Sequence, residues 1–246
     1  KKSFIIQKKF SYLLILIIIS LSFTYYSGYR GVYPIDSFII FNSGYKVLNN
    51  IHPFKDYWTI TGPLLDYLQS IFFLIDISWF TYVLHAAFIN ILVAVIFFYF
   101  FICLGLNINY SFLYALSVSI LSYPSIGTPF VDHHAAYFSI IATCYFILAL
   151  KNVNKIFLII SSIFLVLSFF SKQIPSSYLG LFFLTILTIR IFKNKKDNFF
   201  YFIYGFIISG LFFVILFISN EIQIKDFLIQ YIFYPITIGD NRINDL

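Results

Sequence analysis

The chain has 246 residues, of which 61% are hydrophobic and 11% charged, with a mean hydropathy of +0.90. So little polar surface cannot coat a soluble globule, which excludes a water-soluble domain and points to an integral membrane protein. The formal net charge of +6 follows from basic clusters flanking apolar segments beside an anionic inner leaflet, so no nucleic-acid partner is inferred.

The apolar runs are roughly 16 to 25 residues long and are separated by polar breaks, the pattern of spanning helices rather than of barrel strands. The expected fold class is therefore all-α, a single polytopic membrane domain over 1–246. Lys1, Lys2, Lys8 and Lys9 precede a first helix over 10–27, and the positive-inside rule keeps that flank in the cytoplasm. Residues 28–78, rich in Gly, Pro, Asn, Asp and Tyr, then form a long first external loop with juxtamembrane helices. Within it, 63–77 is apolar but only about 15 residues long and carries Asp66 and Asp76, so it is expected to lie at or dip into the interface, with those two as interfacial helix charges.

Further spans are expected over 79–104, 109–123, 134–150, 155–170, 174–192 and 199–219, with a second external loop over 124–133. This threading puts Lys151 and Lys155 in one inner loop, and Arg190, Lys193, Lys195 and Lys196 in another. Of ten acidic residues only Asp197 then falls inside. Counting 63–77 as a span would carry both later basic clusters outside, against the rule, so the expectation is seven spans with the C-terminal end outside. The absence of methionine indicates that residue 1 is not the translated start, and the chain is read as a piece of a longer protein. Cys103 and Cys144, both inside apolar segments, read as packing thiols.

The outer side carries the residues suited to chemistry. Asp36 stands in Tyr33-Pro34-Ile35-Asp36-Ser37-Phe38, and Asp132 in Pro129-Phe130-Val131-Asp132-His133-His134. Between them lie Gly44, the run Pro53-Phe54-Lys55-Asp56-Tyr57-Trp58, and Thr61-Gly62-Pro63-Leu64; Ser171-Lys172-Gln173 follows at a later outer helix end. This order resembles the first external loop of the polyprenyl-phosphate-sugar-dependent glycosyltransferases of the GT-C fold. The similarity is to the protein-mannosyltransferase-like branch, glycosyltransferase family 39, that includes the aminoarabinose transferases. In that branch an acidic residue after the first helix precedes a short helix and a Gly, then a proline-led segment around an aspartate, then a Pro-Leu helix start.

The resemblance covers about residues 10 to 190 and implies a sugar transfer from a polyprenyl-phosphate-linked donor on the extracytoplasmic face of a bacterial inner membrane. The acceptor would be a glycan, lipid or protein. Family members usually have 11 to 13 spans, so seven would correspond to their shared N-terminal module. The family's Lys-Pro-Pro at the Pro-Leu start reads Thr61-Gly62-Pro63 here, so Lys55 or Lys172 would have to hold the donor phosphate. Such a transfer needs a base at the acceptor and positive charge, or a divalent cation, at the leaving phosphate. Asp36 is the candidate base, with Asp132 as its catalytic companion and Asp56, Tyr57 and Trp58 as candidate substrate contacts. Asp132 and His133 are the candidate metal ligands, although neighbouring side chains diverge on a helix or a strand. His85, alone in an apolar helix, reads as a hydrogen-bonded core residue.

Set against this is the ordinary reading, in which external Asp and Lys are solvated loop charges and the aromatic residues are packing and interfacial belt. The alternative function is a multi-pass transporter or flippase for a lipid-linked or small anionic substrate. Its expected marks are internal repeats and broken helices at mid-membrane depth. No internal repeat is visible in the chain, and its ionisable residues gather towards one face.

Overall fold

The structure, a computed structural model, describes residues 2–32, 35–123, 126–152, 154–192 and 196–238. Among the described residues ten α-helices run in chain order: α1 Lys2–Gly28, α2 Asp36–Leu48, α3 Leu64–Phe73, α4 Trp79–Leu104, α5 Ile108–Leu121, α6 Val131–Asn152, α7 Lys155–Ser171, α8 Gln173–Phe192, α9 Lys196–Ser219 and α10 Ile224–Phe227. The last continues directly into a π-helical segment, Leu228–Phe233. Among the described residues there is no strand, so the protein is an all-α membrane protein.

Among the described residues five helices are long and apolar enough to cross a membrane: Gln7–Gly28, Trp79–Leu104, Val131–Lys151, Gln173–Phe192 and Phe199–Ser219. α5, with 14 residues, and α7, with 17, reach only about 21 and 26 Å, short of a hydrocarbon core of about 30 Å. The segment expected over 63–77 is helical only from Leu64 to Phe73, about 15 Å, too short to span.

Sequence punctuation explains where the helices stop. Ser78 caps α4 by accepting from the Thr81 amide, and Gly105, at φ +99, ends the same helix in the left-handed conformation that only glycine adopts without cost. Asn107 and Asn154 cap α5 and α7 through their side-chain oxygens.

The long helices are joined by polar contacts buried in an apolar surrounding, where an unspent hydrogen bond is costly. Asn90 of α4 donates to Thr24 Oγ1 of α1 at 2.9 Å and to the Ser119 carbonyl of α5 at 2.9 Å, while Ser20 and Ser119 share a 2.7 Å bond. α6 and α7 approach through small residues: Ser161 donates to the Ala142 carbonyl at 2.8 Å and Ser168 to that of Ala135 at 2.7 Å. Apolar packing fills the rest, with Ile40, Leu65, Tyr82, Val93, Phe138, Ile141 and Phe213 in one cluster that ties α2 and α3 to the long helices.

Cross-links between distant segments gather at one end of the bundle. Trp79 Nε1 donates to the Gly28 carbonyl at 2.8 Å, and Gly62 N to the Ser171 carbonyl at 3.0 Å. At the opposite end Lys151 Nζ donates to the Leu104 carbonyl at 2.6 Å. The first connecting segment is thus a folded layer of α2, α3 and turns rather than an open loop. The C-terminal segment folds onto it: Gln230 Nε2 donates to the Phe54 carbonyl at 2.9 Å and its Oε1 accepts from Thr59 N at 3.1 Å.

Candidate functional site

α2 starts at Asp36, whose carboxylate in the first turn is favoured by the unpaired amides of a helix N-terminus. Asp36 is exposed and, among the described residues, has no hydrogen-bond or ionic partner. Tyr33 and Pro34, which precede it in the motif, lie outside the described residues. The next residue locks the helix in place: Ser37 Oγ lies 3.2 Å from Thr128 Oγ1, and the buried Tyr82 hydroxyl donates to the Ser37 carbonyl at 2.5 Å and to that of Pro129 at 3.4 Å. The backbone after Asp36 and the segment leading to Asp132 therefore meet at one tyrosine.

Asp132 and His133 were expected in an external loop over 124–133. They sit instead in the first turn of α6, which begins at Val131, while residues 124 and 125 lie outside the described residues. A carboxylate is stabilised at that helix end, which is why the helix runs further than hydropathy alone suggests. Asp132 forms an ion pair with Lys172, at the junction of α7 and α8, with their side chains 47% and 38% exposed. His133 turns into a cage of Tyr123, Phe130 and Tyr137 rings. The two residues weighed as metal ligands thus point to different neighbours, and among the described residues no group of three or more His, Cys, Asp or Glu assembles.

His85 is a core residue, in a chain of contacts with other polar groups. His134 Nδ1 lies 3.0 Å from the Phe130 carbonyl, His134 Nε2 lies 3.2 Å from His85 Nε2, and His85 Nδ1 lies 2.9 Å from the Gln69 amide. A carbonyl can only accept, so His134 carries its proton on Nδ1 and His85 donates through Nε2. With both rings neutral, Gln69 must then present its NH2 group to His85 Nδ1.

A cleft of about 500 Å³ opens between α2, the turn over 57–61 and the C-terminal segment. Asp66, on its wall, is only 2% exposed. It accepts from Ser43 Oγ at 2.5 Å and from the Tyr57 hydroxyl at 2.9 Å. Burial pushes its carboxyl up to about 6, against the pull of those two hydroxyls and of the Lys46 charge. Burial and the neighbouring carboxylate push the Tyr57 phenol well above its ordinary value, so it stays a donor. Lys46 lies 4.6 Å over the Tyr57 ring. Trp58 and Tyr234, edge to face at 5.3 Å, stand on the same cleft.

The remaining candidates are placed otherwise. Lys55 is held by Glu221 at 3.0 Å and the Asn220 carbonyl at 3.3 Å, beyond the end of α9. Asp56 accepts from the His52 amide at 2.7 Å and closes the turn Pro53–Tyr57, a structural task. Tyr57 and Trp58 do line the cleft. Asp36 shares the helix face of Ile39 and Ser43, both of which line it, and so stands one turn from its edge.

Asp66 reads from sequence as an interfacial helix charge; the structure instead buries it against protein, 2% exposed. A signal was present: Asp66, Gln69, Ser70 and Phe73 recur at i, i+3, i+4 and i+7, so they share one face of α3, and all four are buried. Two glycines allow the layers to meet. A Cβ on Gly44, which lies inside α2 rather than after it, would come within 2.5 Å of Gln69 Cγ, and one on Gly62 within 1.9 Å of the Phe170 carbonyl oxygen. No family model, curated protein or solved structure matches the chain.

Proposed function

We propose that the chain is the membrane module of a glycosyltransferase of GT-C type, taking a sugar from a polyprenyl-phosphate donor in the lipid phase. α1 and α4 to α9 are its seven spans, with α5 and α7 shielded by their neighbours, and the end bearing Asp36, Asp132 and Lys172 faces away from the cytoplasm. The observation that carries the reading is the Asp132–Lys172 ion pair. Forty residues apart, these two charges pair just after the Thr128–Pro129 segment that anchors the backbone following Asp36, which has no partner among the described residues.

In this reading Asp36 takes the proton of an acceptor hydroxyl as its oxygen attacks the anomeric carbon. The bond from that carbon to the phosphate oxygen breaks, and the phosphate leaves with the electron pair. Lys172 neutralises the leaving charge, and Asp132 holds the ammonium in place until the phosphate arrives. Inversion at the anomeric carbon is the expectation that the family resemblance adds.

The test is native mass spectrometry of the full-length protein in mild detergent, followed by turnover of the co-purified donor. A bound polyprenyl-phosphate sugar, lost in Lys172→Ala, together with turnover at least a hundredfold slower in Asp36→Asn, is the expected result. No polyprenyl lipid retained even after it is added back would overturn the reading and favour a transporter.

A further inference from the structure

Among the described residues two lysines at the site end of the fold are matched by carboxylates, Lys55 by Glu221 and Lys172 by Asp132, while Arg30, over the Tyr26 ring, and Lys225 are exposed and stand off the cleft. Lys46 differs from all four. It is half-buried on the cleft wall and forms no ion pair among the described residues. Its ammonium rests on the Tyr57 ring face, a contact that uses its charge but leaves its three N–H donors unspent on protein acceptors among the described residues.

We infer that Lys46 is the anion-binding residue of the cleft and takes the phosphate of a lipid phosphate. The inference deepens the transferase reading, on which it rests for the identity of the lipid: Lys46 holds the lipid phosphate as it enters the cleft, and Lys172, which does not line the cleft, meets it as it leaves the sugar. Three observations converge on it. The groups facing the same space are suited to phosphate oxygens: the exposed Asn42 amide and the half-buried hydroxyls of Thr59 and Thr61, which lie 3.0 Å from each other. The rim is apolar, with Ile39 49% and Ile60 43% exposed, so a chain leaving the phosphate stays on hydrocarbon rather than in water. The ammonium is also preorganised, because Asp66 holds the hydroxyl of the very ring on which Lys46 rests.

Asp66 has a second effect. Its carboxylate, at the hydroxyl end of the Tyr57 ring, attracts Lys46, so it competes weakly with an incoming anion. Asp66 is thus a positioning residue whose charge opposes the ligand that its geometry helps to seat.

The test is titration calorimetry of the full chain in detergent with citronellyl phosphate, a short isoprenyl phosphate, with inorganic phosphate and citronellol as separate arms. Binding of citronellyl phosphate is expected to weaken about tenfold or more in Lys46→Gln, to persist in Lys46→Arg, and to be unchanged in Lys225→Gln, an exposed lysine outside the cleft. Asp66→Asn is expected to tighten it several-fold, an effect that a purely structural role would not produce. Wild-type affinity in Lys46→Gln overturns the inference, and equal affinity for inorganic phosphate or citronellol overturns the lipid-phosphate assignment. Loss of binding in Lys46→Gln without any sugar transfer by the wild type leaves this site standing and removes the transferase reading. Full turnover in Lys46→Gln does the reverse.

Discussion

Replacing Asp66 by Asn tests the central electrostatic claim about the cleft. The side chain is 2% exposed and accepts from two hydroxyls, which can rotate to suit an amide of the same shape, so packing is preserved. Moving a carboxyl from its ordinary 3.8 up to about 6 costs the folded protein about 3 kcal/mol once the group is ionised, at 1.36 kcal/mol per pH unit. The folded carboxyl holds its proton more tightly than the unfolded one. The fold is therefore helped below pH 4, and that help is lost as pH rises through 6. Thermal unfolding in detergent, followed by tryptophan emission between pH 4 and 7.5, gives one curve for wild type and one for Asp66→Asn. The difference between the curves isolates Asp66 from other titrating groups such as His52, whose burial lowers its value and gives the opposite slope. The wild type is expected to lose about 2 kcal/mol relative to the variant across that range, the rest of the change lying below pH 4. Parallel curves would show that Asp66 does not carry a buried charge, and the account of the cleft would fail.

Lys172→Ala is expected to change the melting free energy by less than about 1 kcal/mol, because both members of its ion pair are more than a third exposed. A large loss of stability would make that pair structural and weaken its proposed role at the phosphate. Asn90→Ala removes the donor that joins α4 to α1 and α5 and is expected to cost about 1–2 kcal/mol, measured as a lower melting temperature in detergent. Gly62→Ala places a methyl 1.9 Å from the Phe170 carbonyl oxygen and is expected to detach the 59–62 turn from the end of α7. Faster proteolysis within residues 50–62, with the long helices intact, is the readout. Unchanged proteolysis would show that the turn is not fixed by this contact.

Much of the fold was legible because hydrophobic burial in a bilayer is nearly one-dimensional. A helix that must satisfy its own backbone declares itself as an apolar run, so 79–104 coincides with α4 and 155–170 falls one residue short of α7. Helix ends set by charge were less legible, as α6 shows by beginning at Val131 instead of 134. Asp36, Asp132 and Lys172 were visible as charges at the ends of apolar runs, but only tertiary structure pairs Asp132 with Lys172 and leaves Asp36 without a partner among the described residues. Lys55 and Lys46 have the same chemistry in the sequence. The fold gives Glu221 to Lys55, from 166 residues away, and leaves Lys46 facing the cleft. Asp66 became a buried carboxylate by the same kind of long-range decision, because Ser43 and Tyr57 come from other segments. Composition and hydropathy by themselves determined a helical membrane protein, since that follows from the solvent. Which charge meets which depends on close approach between segments distant in the chain, such as the contact at Gly62 that a single methyl would prevent, and only the tertiary structure decided it.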